Sequence, residues 1–238
     1  MPDRFPFRQR AHEVSRLEAF SDIVFGFALT LIVVSLEVPK SYEDLMDAMR
    51  DFPAFAMCFA ILIWIWHAHY TYFRRYALHD EFTIIMNTLL LFVVLFYVYP
   101  LKFVFGHFAA AIAGHPLHLL ANQGRVLFAI YGIGFAAIFL IYALLYGHAL
   151  KLRTQLQLNA VERHDTFTHV LMCSGNVALG LASLMIALFA PANLVGFAGW
   201  IYSITGFIAG GIGWRMGNKR RVVEEQMIND VSDLATTS

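Results

Sequence analysis

The chain has 238 residues, 59% hydrophobic and only 14% charged, with a mean hydropathy of +0.61. A soluble domain carries about 25% charged residues, so the composition excludes an ordinary soluble domain and indicates a membrane protein. Lys+Arg and Asp+Glu both number 17, so information lies in where the charges fall and not in their sum.

Residues 1–16 read like the charged start of a signal peptide, but the next segment does not fit one. That apolar stretch is too long for an h-region, carries Asp22 and lacks a small-residue cleavage site. It is therefore expected to be a retained first span over 17–38, closed by Pro39. Residues 41–50 mix Leu45, Met46 and Met49 with acids, which predicts a short amphipathic helix at the membrane surface. The second span is expected over 53–73, with Pro53 in its first turn. It ends in Trp64, Trp66, His67, His69, Tyr70 and Tyr72, types that favour the headgroup layer. The third is expected over 82–104, with Asn87 early and Pro100 near its end, where a proline would kink or stop the helix.

Residues 105–124 read as a loop or surface-lying segment with three histidines, His107, His115 and His118. These are either solvated loop residues or a pH sensor. The fourth span is expected over 125–149, with Gly132 and Gly134 allowing close helix approach. The fifth is expected over 167–189 and a glycine-rich sixth over 194–214, followed by a charged tail, 215–238. The fold class is thus all-α, one six-span domain. Cys58 and Cys173 lie in apolar runs and read as buried thiols, with no disulfide framework or metal site.

Charge placement orients the spans. Arg4, Arg8, Arg10 and Arg16 precede the first, Arg74 and Arg75 follow the second, and Lys151, Arg153 and Arg163 lie between the fourth and fifth. Arg215, Lys219, Arg220 and Arg221 follow the sixth. With the N-terminus inside, 13 of the 17 cationic residues face the cytoplasm and 4 face out, which puts both termini in the cytoplasm.

The first span carries the residues of most interest. From Ile23 to Leu36 nothing is charged, and only Thr30 and Ser35 have polar side chains. A carboxylate at the mouth of such a segment, Asp22, is costly in lipid and should face protein or water. Ser21, Asp22, His67 and Asn87 fall at one membrane depth, which suggests an interhelical polar network. Phe27, Leu31 and Val34 share one helix face with Ile23 or Val24. That face is either ordinary packing surface or a set of hydrophobic constrictions that gate by dewetting. Thr30 adds a hydroxyl beside the stripe, free to line a pathway or to bond back to its own helix.

Arg16-x-x-x-Phe20-Ser21-Asp22 opening the first span resembles the signature of the transmembrane protein 175 potassium channels. Trp66-His67, then Asn87, Leu91 and Pro100, also resemble that family's pattern, over residues 16–104 in all. The resemblance implies a potassium-permeable channel without a TVGYG filter, and the chain contains no such stretch. It implies a homotetramer in the bacterial cell membrane, with the first helix lining the pore and no cofactor beyond the permeant potassium ion. It assigns the constriction to Phe27, Leu31 and Val34, the pore hydroxyl to Thr30, and a structural polar network to Arg16, Ser21, Asp22, His67 and Asn87. Phe27 departs from the family's usual Leu or Ile at the first constriction.

Two other classes compete. A proton-coupled secondary transporter would use Asp22 and His67 as a relay, but no inverted repeat with matching broken helices is visible. A membrane-embedded enzyme would need a ligand set or a nucleophile–base pair, which the spacing does not supply. No nucleic-acid partner is implied.

Overall fold

The computed structural model describes residues 7–34, 40–112, 121–191 and 194–236, without the side chains at 47, 51, 107–112, 121–122, 207–209 and 227–236. His115 and His118 lie outside these residues, as does the side chain of His107. The described chain is helical: α1 (Arg16–Val34), α2 (Tyr42–Tyr76), α3 (Glu81–Ile112), α4 (Ala121–Lys151), α5 (Ala160–Phe189), the short α6 (Phe197–Trp200) and α7 (Ile204–Thr236). Five stretches are long and apolar enough to cross a membrane: Arg16–Val34, Phe52–Tyr76, Glu81–Gly106, Gln123–Lys151 and Ala160–Phe189. This is a multi-pass all-α membrane protein with a further helix beyond those five.

Local chemistry sets the ends. Ser41 caps α2, accepting from the Asp44 N–H at 3.0 Å while the Asp44 carboxylate accepts from the Ser41 N–H at 3.0 Å. That carboxylate also accepts from the Lys40 N–H, and these bonds hold it below the usual Asp range. At the α2–α3 turn, burial opposes the charge of Asp80. The hydroxyl of Thr83 at 2.7 Å and the imidazole of His148 at 2.8 Å outweigh it and keep the carboxyl below its ordinary range.

Three elements differ from the sequence reading. Residues 41–50 do not form a separate surface helix; they continue into α2, which runs through Pro53 for 35 residues. At ~1.5 Å per residue that is ~52 Å, longer than the ~30 Å hydrocarbon core, so α2 projects beyond the bilayer. Pro100 does not stop α3, which continues to Ile112 and so takes in part of the expected loop. The glycine-rich 194–214 stretch is interrupted: α6 gives way to a single 3-10 turn at Ile201–Ser203 before α7 begins. Gly206, Gly210 and Gly211 lie inside α7, which stays helical in spite of the ~1 kcal/mol that each glycine costs a helix.

One apolar core joins the first five helices. It contains Phe25, Ala28 and Ile32 of α1, Cys58, Leu62 and Ile65 of α2, Leu90 and Val94 of α3, Tyr142 and Leu145 of α4, and Cys173 of α5. Both cysteines are buried free thiols. Buried tyrosines tie the helices by their hydroxyls, Tyr142 to the Ile65 carbonyl at 2.7 Å, Tyr72 to that of Leu145 at 3.2 Å and Tyr97 to that of Tyr131 at 3.1 Å. Each satisfies a polar group where lipid offers no partner.

Small residues bring α4 and α5 together. A Cβ on Gly180 would lie 2.9 Å from both the Cβ and the backbone N of Ala136, and one on Gly132 would lie 2.9 Å from the Gly180 carbonyl oxygen. Gly134 instead receives the ring of Tyr97, 2.3 Å from a would-be Cβ. Backbone cannot yield as a flexible side chain can, so Gly180→Ala should destabilise by about 1–3 kcal/mol through overpacking. Gly206→Ala, with open space around it, should be neutral or slightly stabilising. Thermal unfolding in one detergent compares the two; equal midpoints would remove Gly180 from the helix contact.

Candidate functional site

The candidate site is α1 and the polar groups behind its N-terminal end. Ser15 and Glu18 start the helix with a capping box: the Ser15 Oγ accepts from the Glu18 N–H at 3.1 Å, and the Glu18 carboxylate accepts from the Ser15 N–H at 2.9 Å. The Ser-x-x-Glu pattern was present in the sequence and marks this start.

One face of α1 is buried, formed by Glu18, Ser21, Phe25, Ala28 and Ile32. Their spacing of three and four residues makes a single stripe, and it lies against α2 and α3. The opposite stripe is open. Ile23 is 71% exposed, Phe27 56% and Val34 77%, and Thr30 between them is also exposed. Leu31 falls on the flank and is half-buried against the core. The Thr30 hydroxyl donates to the Phe27 carbonyl at 2.7 Å. Its donor is thereby used, and the oxygen lone pairs remain as acceptors.

Behind the buried stripe runs a chain of hydrogen bonds with one consistent direction. The Ser21 hydroxyl donates to the Leu17 carbonyl at 2.8 Å and accepts from the Asn87 Nδ2 at 2.9 Å. That leaves Asn87 Oδ1 facing His69 Nε2 at 2.8 Å, so His69 carries its proton on Nε2. Ser21, His69 and Asn87 are all buried. His69 is held between aromatic rings, 5.6 Å from Phe25 and 4.6 Å from Phe73, centroid to centroid.

The sequence-picked residues divide into three groups. Ser21 and Asn87 are directly bonded. Asp22 is apart from them, on the exposed side, and accepts from the Trp66 indole N–H at 2.8 Å. Arg16 is exposed at the first residue of α1. His67 is also exposed, stacked on Tyr70 at 6.3 Å; the histidine that reaches Asn87 is His69, two residues on. His69 lies on the α2 stripe of Cys58, Leu62, Ile65, Tyr72 and Tyr76, a spacing that could have singled it out.

A further set of contacts was not foreseen. Residues 7–14, ahead of α1, lie against the C-terminal end of α2 and the N-terminal end of α5. The Arg10 N–H donates to the Arg74 carbonyl at 2.9 Å, and the Arg74 guanidinium donates to the Ala11 carbonyl at 3.0 Å. Arg8 and Arg10 both bond to Glu162 at the start of α5, at 2.9 and 2.8 Å.

The chain is similar to known proteins. The family model for the endosomal/lysosomal potassium channel TMEM175 matches residues 16–97, from the first residue of α1 into α3. A potassium channel of Marivirga tractuosa is 41% identical over 200 residues, covering 78% of this chain and 79% of that protein. The chain belongs to the TMEM175 potassium-channel family. A crystal structure of the potassium channel MtTMEM175, a threonine-to-alanine variant bound to a nanobody–MBP fusion, superposes with a TM-score of 0.80 at 35% identity. The match covers 92% of this chain and 98% of that one. The TMEM175 homologue of Chamaesiphon minutus shares the fold, with a TM-score of 0.58 at 24% identity over 85% of this chain and 99% of that one.

The geometry ranks the polar residues. Asn87→Ala leaves the buried His69 N–H without an acceptor, and should cost about 1–3 kcal/mol for the unsatisfied group alone. Trp66→Phe removes a bond to an exposed carboxylate that water can replace, and should cost less. Unfolding midpoints of the two variants in one detergent test this order; a larger loss for Trp66→Phe would overturn it.

Proposed function

We propose that this chain is one subunit of a passive potassium pore in a bacterial cell membrane, four copies surrounding an axis lined by α1. Six spans per subunit, the last supplied by the α6–α7 region, keep both termini in the cytoplasm. One observation carries the reading. The stripe of Ile23, Phe27, Thr30 and Val34 faces away from its own chain's core, on a helix whose other face is fixed by hydrogen bonds. A pore shared by four copies needs such a face, apolar enough to exclude water at rest and rigidly backed.

In this pore Phe27 and Val34 form the inner and outer apolar layers and Leu31 flanks them. Apolar rings of this kind gate by dewetting. The Thr30 oxygen lies between the layers with its lone pairs unspent, so it can accept a partly dehydrated cation. Ser21, Asn87 and Asp22 keep α1, α2 and α3 in register, with His69 and Trp66 added to that set by their bonds to Asn87 and Asp22; Arg16 and His67, exposed on their own chain, would act toward a neighbouring subunit. The relatives support the ion: the Marivirga tractuosa and Chamaesiphon minutus proteins are both potassium channels by name. The proton-relay alternative draws less support, since Asp22 is bonded to Trp66 and His67 is stacked on Tyr70.

Purified protein in liposomes should pass potassium down its gradient with no nucleotide and no coupled pH gradient. Flux that saturates and follows an imposed proton gradient would favour the transporter. Phe27→Ala should raise the single-channel conductance severalfold by removing the bulkiest ring of the stripe, and Leu31→Ala should change it less. An unchanged conductance in Phe27→Ala would take Phe27 out of the pore.

A further inference from the structure

Glu162 is the most heavily bonded carboxylate among the described residues, yet it lies at the start of α5, which packs mainly on α4, α6 and α7 and bonds to α2 through Thr166–Tyr76 and His169–Arg75. Its side chain is 1% exposed. The Oε1 accepts from the Arg8 backbone N–H at 3.0 Å and the Arg8 Nε–H at 3.1 Å. The Oε2 accepts from Arg8 Nη2 at 2.9 Å, Arg10 Nη2 at 2.8 Å and the Asn159 N–H at 3.1 Å. A carboxylate offers about four lone-pair directions, so this one is fully committed.

Most of those donors belong to the segment that leads straight into α1. Arg10 adds bonds to the Leu156 carbonyl at 3.1 Å and the Arg75 carbonyl at 3.1 Å, and Arg8 also reaches the Gln157 carbonyl. Phe7 packs its ring on Tyr76 at 5.5 Å with the Arg75 guanidinium 4.8 Å over its face. Six residues separate Arg10 from Arg16, a reach of at most ~20 Å when extended. Any shift of α5 relative to α2 therefore pulls on the start of α1 through a short, bonded strap.

We propose that Glu162 is a positioning residue for the pore helix, acting through Arg8 and Arg10 to set where the inner end of α1 sits. It touches no permeating ion, and the proposal rests on the reading of α1 as the pore lining. The strap joins α5 to α1 by polar bonds, whereas α1 otherwise meets its own chain through α2 and α3. A conformational change in α5 and α7 thus has a route to the pore that does not pass through the apolar core.

The test is single-channel recording in planar bilayers on the full chain, with a mutant cycle. Glu162→Gln keeps the shape and removes the charge, and Arg8→Gln with Arg10→Gln removes the donors. Each should shift open probability by about fivefold in the same direction, with unit conductance unchanged. The triple variant should shift it no further. Additive effects, or an open probability within twofold of the wild type, would overturn the proposal. A residue needed only for folding would lower yield and leave the assembled channels unaltered. Should Glu162→Gln not fold, Arg8→Gln alone carries the test, since Arg8 is 54% exposed and Arg10 and Asn159 still hold the carboxylate. Phe27→Ala in the same recordings separates the two readings. If it leaves conductance unchanged, the pore assignment fails; if it changes conductance and Glu162→Gln changes nothing, only the positioning role fails.

Discussion

A buried amide in an apolar helix bundle leaves little freedom to its neighbours. Asn87 gives its Nδ2 to Ser21 on α1 and takes the Nε2 proton of His69 on α2, so one side chain of α3 joins three helices. Both partners sit at fixed heights. Sliding α1 by one turn, ~5.4 Å, would break the Ser21–Asn87 bond and strand the buried Asn87 Nδ2, at about 1–3 kcal/mol, while the Asn87–His69 bond between α3 and α2 would remain. Beyond Ser21 the buried face of α1 is Phe25, Ala28 and Ile32, whose packing is non-directional and would tolerate other registers. The amide, and not the apolar stripe, therefore fixes where α1 stands.

Lipid changes what exposure means. In water, a face such as Ile23, Phe27 and Val34 would itself argue for a partner. Here Phe92, Phe96, Leu188 and Trp200 on other helices are as exposed, and lipid tails cover them without cost. The discriminating groups on α1 are the polar ones. Thr30 is bonded to its own helix and is tolerated on either side. Asp22 is exposed with an indole N–H as its bonded partner, and a carboxylate in that state is costly against hydrocarbon. That flank of α1 belongs against water or protein, which sets the helix apart from the lipid-covered faces of α2 to α5.

Much of this was legible in the sequence, and the exceptions have physical causes. Long apolar runs announce helices because the bilayer requires about 20 such residues. Depth can be read the same way, which brings Ser21 and Asn87 to one level from their places in the sequence. Depth cannot choose between His67 and His69, which differ by ~200° around one helix. The choice follows from the repeat of Cys58, Leu62, Ile65, Tyr72 and Tyr76, all buried, on which His69 falls and His67 does not. The joining of 41–50 to α2 was hidden because Pro53 reads as a start, although a proline one turn into the apolar segment can equally lie inside a longer helix. Nothing in the sequence pairs Arg8 with Glu162, 154 residues away. Periodicity encodes faces and depths within an element, and a bond between two segments of different register leaves no periodic trace.

These constraints are unevenly spread along α1. The N-terminal end has the Ser15–Glu18 cap, the Ser21–Asn87 bond and the Trp66–Asp22 bond. Further along, the buried face is Phe25, edge-on to His69, followed by Ala28 and Ile32. Phe27 and Leu31 are four residues apart and differ by ~40° around the helix, one exposed and the other on the flank. A twist of that size exchanges which of them leads the open face. Gly26, with no neighbour within reach of a Cβ, offers no steric resistance to it. Such a twist trades the Phe27 ring on the open face for the smaller Leu31 side chain, about 6 Å further along the axis. In the pore proposed above, that difference in bulk would change how far the open face projects toward the axis.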